Sequence, residues 1–211
     1  LAPPSGARKF GHNNMMILVE KTEHLEGEVR APASKSHSVR AIVIATLARG
    51  RSFVHNLLDA DDTDCAMAAC KTLGIRASVL PRHNSCGSKK RRLCLKIISS
   101  GPPFELGRSA AAKRIFTGNS GITTNFLMPL AGLCFGSPIV FDCGPQMKKR
   151  PILPMVKALR KLGMKFEGKN LKKLPLRISG ELSGGAARVE GSISQYISAL
   201  LLASVCAPQN S

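Results

Sequence analysis

The chain has 211 residues, 44% of them hydrophobic and only 4% aromatic, so it can bury an aliphatic core in one large domain or two small ones. No apolar run is long enough to cross a membrane, and the N-terminus lacks the charged and apolar regions of a signal peptide. These features disfavour a membrane-spanning or secreted protein. They favour a cytoplasmic one, and a plastid address would have to lie upstream of Leu1.

The charge and the cysteines limit the ligands to be expected. The 31 Lys and Arg outnumber the 13 Asp and Glu, and the net charge of +18 favours polyanionic partners, either nucleic acid or small phosphorylated ligands. No aromatic residue interleaves the basic clusters at 89–92 and 148–150, which disfavours a surface that stacks single-stranded bases. The seven cysteines are scattered and form no CxxC pair, so we expect reduced thiols and no metal site.

In chain order, the sequence predicts a disordered tail over residues 1–14 and a folded portion over 15–211. The tail is rich in Pro, Gly, Asn and Lys, and a strand over 15–21 follows it. Apolar runs after small polar residues, and runs that end in Leu-Gly, predict helices at 34–48, 62–73, 118–133, 151–162 and 192–207. Short runs rich in Val, Ile and Leu predict strands at 52–58, 76–80, 92–98, 137–143, 164–168, 174–180 and 186–191.

The predicted elements repeat. The helices at 34–48, 118–133 and 192–207 each begin with small polar residues, whereas those at 62–73 and 151–162 end in Leu-Gly, with the Gly expected in the left-handed C′ position. The pattern predicts an α/β (α+β) fold of βαβαββ-type units, with helices packed inside and sheets outside. The chain contains two units and the start of a third. Pro129 lies within the second polar-start helix, which should kink or end early.

The first of these helices begins with APASKSHSVRA, which carries two cations where acidic residues are usual. Either Ser34 or Ser36 caps the helix while Lys35 and Arg40 are solvated, or these groups and the free N–H groups together bind one anion. This stretch alone leaves both interpretations open. Pseudo-symmetry between the units would gather several polar helix starts at one end of the domain and so strengthen an anion site.

Five segments form an ordered series of motifs. They are LEGEVRAPASKSHSVRA, NLLDADDTDCAMAACKTLGI, GNSGITTNFLMPL, DCGPQMKKRPILPMVKALRKLG and GSISQYISALLLA. In this order they resemble the enolpyruvyl transferases, and within them the EPSP synthase (3-phosphoshikimate 1-carboxyvinyltransferase) family. The resemblance implies one domain of that family, incomplete and limited to its N-terminal portion.

The resemblance implies two similar domains of three repeated units each, with the active site in the cleft between them. The implied reaction transfers the enolpyruvyl group of phosphoenolpyruvate to the 5-hydroxyl of shikimate 3-phosphate, a step of chorismate and aromatic amino acid biosynthesis. No metal and no organic cofactor are implied. The implied partners are the two anionic substrates and the C-terminal half, while neither membrane nor nucleic acid is expected.

The resemblance also implies roles for individual residues. Lys35 matches a lysine that touches both substrates and is the implied catalytic residue, while Asp62 has at most a supporting role and is expected to cap the helix that follows it. The residues that match the shikimate 3-phosphate site are Lys35, Ser36, Arg40, Ser194 and Gln195. The residues that match the phosphoenolpyruvate site are Lys35, Asn119, Gly121, Arg150 and Gln195.

The sequence departs from the family pattern at three places. Ile122 stands where the family usually has Thr, Asn125 stands where it usually has Arg, and one serine rather than two precedes Gln195. The change at Asn125 removes a cation from the cleft, so we expect weak binding of shikimate 3-phosphate. The remaining catalytic groups of the family lie beyond the matched part, so we expect no turnover by this chain alone.

Two alternatives remain open at the level of sequence. The first is a basic nucleic-acid-binding module, or a non-catalytic remnant with the same repeats, because the net charge of +18 suits such a partner. The second is the sister transferase that acts on UDP-N-acetylglucosamine. It is disfavoured because that enzyme has a Lys-Asn pair where this chain has Lys35 and Ser36.

Overall fold

The computed structural model describes residues 21, 23–24, 26–29, 31–80, 93–107 and 111–211. The chain divides into two compact units, residues 1–31 and 32–211. The described residues of the first unit form no helix or strand, and His24 Nε2 lies 3.8 Å from Glu26 Oε2. The predicted tail, residues 15–20 of the predicted first strand and the basic cluster at 89–92 lie outside the described residues.

The second unit begins with two helices and a three-stranded sheet. Their bounds are α1 Lys35–Leu47, β1 Gly50–Leu57, α2 Asp61–Thr72, β2 Arg76–Leu80 and β3 Leu93–Ser99. The strand order is β1-β3-β2, and both pairs are antiparallel. Helix α1 packs on this sheet and on α2, and buries Val39, Ile42 and Val43 completely. These positions are spaced as one face of a helix requires.

A second set of helices and strands follows. Its bounds are β4 Phe104–Glu105, β5 Lys113–Phe116, α3 Gly121–Leu130, β6 Cys134–Phe135, β7 Ile139–Asp142, α4 Pro145–Lys148, α5 Leu153–Lys161, β8 Lys165–Glu167, β9 Leu176–Ser179 and α6 Ser194–Ser204. Strands β4 and β6 form a short parallel pair. The four-stranded sheet has the order β5-β7-β9-β8, in which β5 and β7 are parallel and the other pairs antiparallel.

The predicted repeat is confirmed. The order β1-β3-β2 corresponds to β7-β9-β8, and in each case a helix lies between the first two strands in sequence. Helices α2 and α5 also end in the same way, at Gly74 with φ of +86° and at Gly163 with φ of +104°. The N–H groups of Gly74 and Gly163 and of the residues after them bond back to carbonyls in the last turn, which is the Schellman arrangement.

Helix α3 lies at the centre of the compact unit formed by residues 32–211. All ten of its residues are buried, and it contacts α1, α2 and α6. The helix gives way at Ala131 to a 3-10 turn over Ala131–Leu133, so the prediction that Pro129 would end it early is confirmed. Proline lacks the N–H that would bond to the carbonyl one turn back. The sequence of α3 is largely apolar because other helices surround it.

One predicted strand is wrong, and three strands were missed, namely β5 and the two-residue strands β4 and β6. Residues 186–191 form no strand in the described structure, and the flanking Gly185 N–H instead donates to the Asn210 carbonyl at 2.9 Å. Val189 is the only large apolar residue of the segment, so burial of side chains would add little to the stability of a paired strand there. Strand β5 was missed because its sequence, KRIF, contains two exposed cations. None of the described helices combines the length and apolar character needed to span a bilayer.

Candidate functional site

The capping question at the start of α1 has a clear answer. The Ser34 side chain accepts the His37 N–H at 3.3 Å, so Ser34 is the N-cap and Ser36 is not. The Ser36 carbonyl accepts from Arg40 Nη1 at 3.1 Å. The Arg40 guanidinium also lies over the Phe126 ring, 5.0 Å from its centroid, which fixes it between α1 and α3.

Lys35, in the first turn of α1, faces the start of α2. Its Nζ lies 3.4 Å from Asp62 Oδ2, with the lysine side chain 52% exposed and the carboxylate 21% exposed. Asp62 does not cap α2, so that prediction is wrong. The N-cap is Ala60, which has no side-chain acceptor, and the Thr63 hydroxyl accepts the Ala60 N–H at 3.3 Å, as the third residue of a capping box does. The Asp62 carboxylate is therefore free to pair with the lysine.

The start of α3 is tied directly to the start of α2. Ser120 caps α3 by accepting the Thr123 N–H at 3.1 Å, and the Thr123 hydroxyl donates to the Asp62 carbonyl at 3.0 Å. Neither α1 nor α3 has an acidic residue in its first turn. The positive dipole ends of these two helices therefore have no acidic partner in their own first turns, so a group that neutralises them must come from another element.

Arg150 lies against the start of α3. An ideal Cβ built on Gly121 would be 2.8 Å from Arg150 Nη1, so the guanidinium occupies the space that the glycine leaves open. Arg150 follows the short helix α4, whose end it closes by donating its N–H to the Met147 carbonyl at 2.9 Å. Asn119, one residue before the cap of α3, accepts the Gln146 N–H at 3.0 Å through Oδ1.

The third polar-start helix, α6, is joined to α3 by a buried amide pair. Asn125 Nδ2 donates to Gln195 Oε1 at 3.0 Å, and Asn125 is only 5% exposed. Asn125 Oδ1 is buried and has no hydrogen-bond partner. The Tyr196 hydroxyl donates to the Pro151 carbonyl at 2.9 Å, next to Arg150. Ser194, at the first position of α6, is exposed, and α6 also lacks an acid in its first turn.

The structure therefore brings the predicted site residues together around the first two turns of α3. Arg40 lies over the ring of Phe126, Arg150 lies against Gly121, and Gln195 accepts a hydrogen bond from Asn125. Lys35 is linked to this helix less directly, through its ion pair with Asp62. Cations and unopposed helix starts on neighbouring elements favour a ligand with several anionic groups. The described residues contain no group of three His, Cys, Asp or Glu side chains that could hold a metal ion.

A cluster of one buried carboxylate and two cations beside this site was missed at the level of sequence. Asp142, at the end of β7, accepts the Cys143 N–H at 2.8 Å and pairs with Arg114 and with Lys148, whose Nζ lies 3.5 Å away. Burial acts to raise the pKa of this carboxyl, but the N–H and the two cations together hold the pKa below its usual value. The cluster fixes the segment that leads into α4 and Arg150.

Comparison with known proteins agrees with this arrangement. The family model for EPSP synthase (3-phosphoshikimate 1-carboxyvinyltransferase) matches residues 19–210. A 3-phosphoshikimate 1-carboxyvinyltransferase of Klebsiella pneumoniae is 37% identical over 198 residues, covering 92% of this chain and 43% of the relative. The enzyme of the same name from Chlamydia muridarum is 35% identical over 182 residues, covering 86% of this chain and 38% of the relative.

A solved structure shares the fold. The EPSP synthase of Acinetobacter baumannii matches 86% of this chain and 39% of its own, with a TM-score of 0.66 and 24% sequence identity. This chain thus spans about two fifths of the length of the curated relatives that it matches. With its repeated units, its converging helix starts and a family match over nearly its whole length, the chain belongs to the EPSP synthase (3-phosphoshikimate 1-carboxyvinyltransferase) family.

Proposed function

We propose that this chain forms the N-terminal part of an enolpyruvyl transferase site and binds shikimate 3-phosphate and phosphoenolpyruvate. The observation that carries the proposal is that Lys35, Arg40 and Arg150 each lie against a residue that is in, or is bonded to, the first two turns of α3. Each substrate has one phosphate and one carboxylate, and each phosphate carries about −1.5 to −2 charges at neutral pH. A pocket of cations and helix N-termini suits these groups.

For shikimate 3-phosphate, we assign the carboxylate to Ser36 and Arg40 and the phosphate to Ser194 and Gln195. The stacking of Arg40 on Phe126 and its bond to the Ser36 carbonyl support this assignment, because they hold the guanidinium in one orientation. A guanidinium with some N–H groups fixed can still present others to a carboxylate as a fork. Gln195 is held by Asn125, which supports a fixed amide at the phosphate.

For phosphoenolpyruvate, we assign Asn119, Gly121, Arg150 and Gln195, with Lys35 shared between the two substrates. The close approach of Arg150 to Gly121 supports this part of the site. We propose no general acid or base within the chain beyond Asp62, whose carboxylate is paired with Lys35. Turnover needs proton transfer within hydrogen-bond reach of the substrates, so the isolated chain should bind but not turn over.

The remainder of the site is proposed to come from the part of the relatives that this chain does not cover. Helix α6 has a stripe of exposed apolar side chains that supports such a partner. Its members, spaced four residues apart, are Ile193, Ile197, Leu201 and Val205, which are 37%, 40%, 64% and 84% exposed. An exposed apolar stripe on a helix is typical of a surface that another element covers.

Isothermal titration of the 211-residue chain with shikimate 3-phosphate tests the proposal. We expect measurable binding that falls by about tenfold or more with unphosphorylated shikimate and with the Lys35→Ala variant, since each removes one charged contact. Lys169→Ala, in a basic surface loop, is the matched control and should bind as the unmodified chain does. An equal loss of affinity in Lys35→Ala and Lys169→Ala, or equal affinity for the phosphorylated and unphosphorylated ligands, would refute the proposed site.

A nucleic-acid-binding function is the second candidate, because the net charge of +18 suits a polyanion. RNA binding through solvated surface cations would fall steeply with salt and would depend on Lys169 as much as on Lys35. Addition of shikimate 3-phosphate would not compete with such binding. A salt series with a long RNA, with and without the small ligand, therefore separates the two functions.

A further inference from the structure

Helix α4 begins without a cap of its own. Its N-cap position is Gly144, which has no side chain, and no side-chain hydrogen bond is made from that position. The N–H of Gln146, at the second position of the helix, instead donates to Asn119 Oδ1 at 3.0 Å. The acceptor that would normally come from the N-cap residue thus comes from a residue 27 positions earlier in the chain.

The glycine at 144 is explained by this asparagine. Gly144 has φ of −73° and ψ of 167°, a backbone conformation that any residue adopts. An ideal Cβ at this position would lie 2.3 Å from Asn119 Oδ1 and 2.8 Å from its Cγ. The Gly144 N–H also donates to the Gly118 carbonyl at 2.7 Å. Two hydrogen bonds and the close approach of Gly144 to the Asn119 side chain therefore hold residues 118–119 against residues 144–146.

The start of α3 contacts the other end of this segment. Gly121 faces the Arg150 guanidinium, and Arg150 closes α4 through its bond to the Met147 carbonyl. The loop before α3 therefore holds α4 at its start through Asn119, and the first residue of α3 meets Arg150 just after the end of α4. Because α4 has only four residues, a shift of its first turn is transmitted to the arginine directly.

We propose that Asn119 is a positioning residue that caps α4 from a distance and thereby holds Arg150 over the start of α3. Its Oδ1 is committed to the Gln146 N–H, so only Nδ2 is left for the direct contact with phosphoenolpyruvate assigned above, and the rest of its contribution passes through Arg150. The assignment of Arg150 to that ligand rests on the proposed function, but the capping role of Asn119 does not.

Two measurements on four variants test this role. Hydrogen exchange of the Gln146 N–H, followed by NMR, reports the cap, and titration with phosphoenolpyruvate in the presence of shikimate 3-phosphate reports Arg150. The variants are Asn119→Ala, Gly144→Ser, the double variant Asn119→Ala with Gly144→Ser, and Asn210→Ala. Asn210 is exposed and uses its backbone carbonyl for its bond to Gly185, so its replacement is the matched control.

We expect Asn119→Ala to speed exchange of the Gln146 N–H about five- to tenfold, since an N-cap side chain contributes roughly that factor. Phosphoenolpyruvate binding should weaken by a similar factor. In the double variant, the serine introduced at position 144 can cap α4 locally, so both exchange and binding should return toward those of the unmodified chain. Gly144→Ser alone should resemble the double variant, because its Cβ displaces the asparagine side chain and its own hydroxyl can then accept the Gln146 N–H.

Rescue by the double variant separates a positioning residue from a direct ligand, because a serine at position 144 cannot replace an amide that touches the substrate. Unchanged exchange in Asn119→Ala would overturn the cap, and failure of the double variant to recover binding would overturn its route through Arg150. If the unmodified chain does not bind phosphoenolpyruvate, the proposed function fails. The exchange data then still decide whether Asn119 caps α4.

Discussion

The amide pair between α3 and α6 gives a prediction with a definite asymmetry. Asn125 is 5% exposed, donates from Nδ2 to Gln195 Oε1 and leaves Oδ1 without a partner, whereas Gln195 is only half-buried. Replacement of either residue by Leu removes the same hydrogen bond. The two replacements differ in the polar group that each leaves behind.

The magnitudes follow from that difference. Asn125→Leu removes a buried unpaired oxygen and returns the Gln195 amide to water, so the free energy of unfolding should change by less than about 1 kcal/mol. Gln195→Leu leaves both polar atoms of Asn125 buried and unpaired, and should lower the free energy of unfolding by about 1–3 kcal/mol. The double variant should be close to Asn125→Leu, since it leaves no buried amide behind.

Urea unfolding followed by circular dichroism measures all three variants. Ile197→Leu, on the exposed face of α6, is the baseline for a change of side-chain shape in the same helix. A Gln195→Leu variant as stable as Asn125→Leu would refute the reasoning. So would a double variant less stable than Gln195→Leu, because removal of a stranded amide should restore stability.

Three further predictions concern other residues. Gly121→Ala places a Cβ 2.8 Å from Arg150 Nη1, so calorimetry should give about tenfold weaker phosphoenolpyruvate binding with an unchanged melting temperature, because the exposed guanidinium moves rather than the helix. The lowered pKa of Asp142 stabilises the fold above the unfolded carboxyl pKa of about 3.9, and this stabilisation is lost as the pH falls through the lower folded value. Asp142→Asn should therefore cost about 1–3 kcal/mol in urea unfolding at pH 7 and much less near pH 2, and an equal cost at both would contradict the linkage. Burial raises the pKa of Cys70 to about 11 and that of Cys134 to about 12, so mass spectrometry should find both alkylated by iodoacetamide at pH 8 far more slowly in native than in urea-unfolded protein.

Much of the fold was predictable because its signals are local. The Leu-Gly endings of α2 and α5 need a left-handed residue, and glycine supplies it at Gly74 and Gly163. Ser34 and Ser120 cap their helices through bonds to residues only three positions away. Signals of this kind depend on a few neighbouring residues, so periodicity and caps locate the helices to within a few positions.

The errors in the sequence-based predictions arise where contacts between residues distant in the chain determine the structure. Residues 186–191 have the composition of a short strand, but a strand exists only where a partner pairs with it. Asp62 follows the rule for a helix cap, yet Thr63 closes that turn and the carboxylate faces Lys35 instead. The bond from Asn119 to Gln146 and that from Asn125 to Gln195 join residues far apart in sequence. No local pattern encodes such contacts, so neither hydrogen bond could be predicted from the sequence.

The repeated units build a site that is not itself symmetric. The segment after β1 is acidic, with Asp61, Asp62 and Asp64 in the first turn of α2, and it neutralises Lys35. The corresponding segment after β7 is basic and delivers Arg150 to the start of α3. The segments that follow β1 and β7 thus carry opposite charge near one buried helix. In the proposed site, a ligand with several distinct polar groups would be oriented in one way only, because each group would meet a different partner. The scaffold brings the helix starts together, and the differences between its repeats would supply the selectivity of the proposed site.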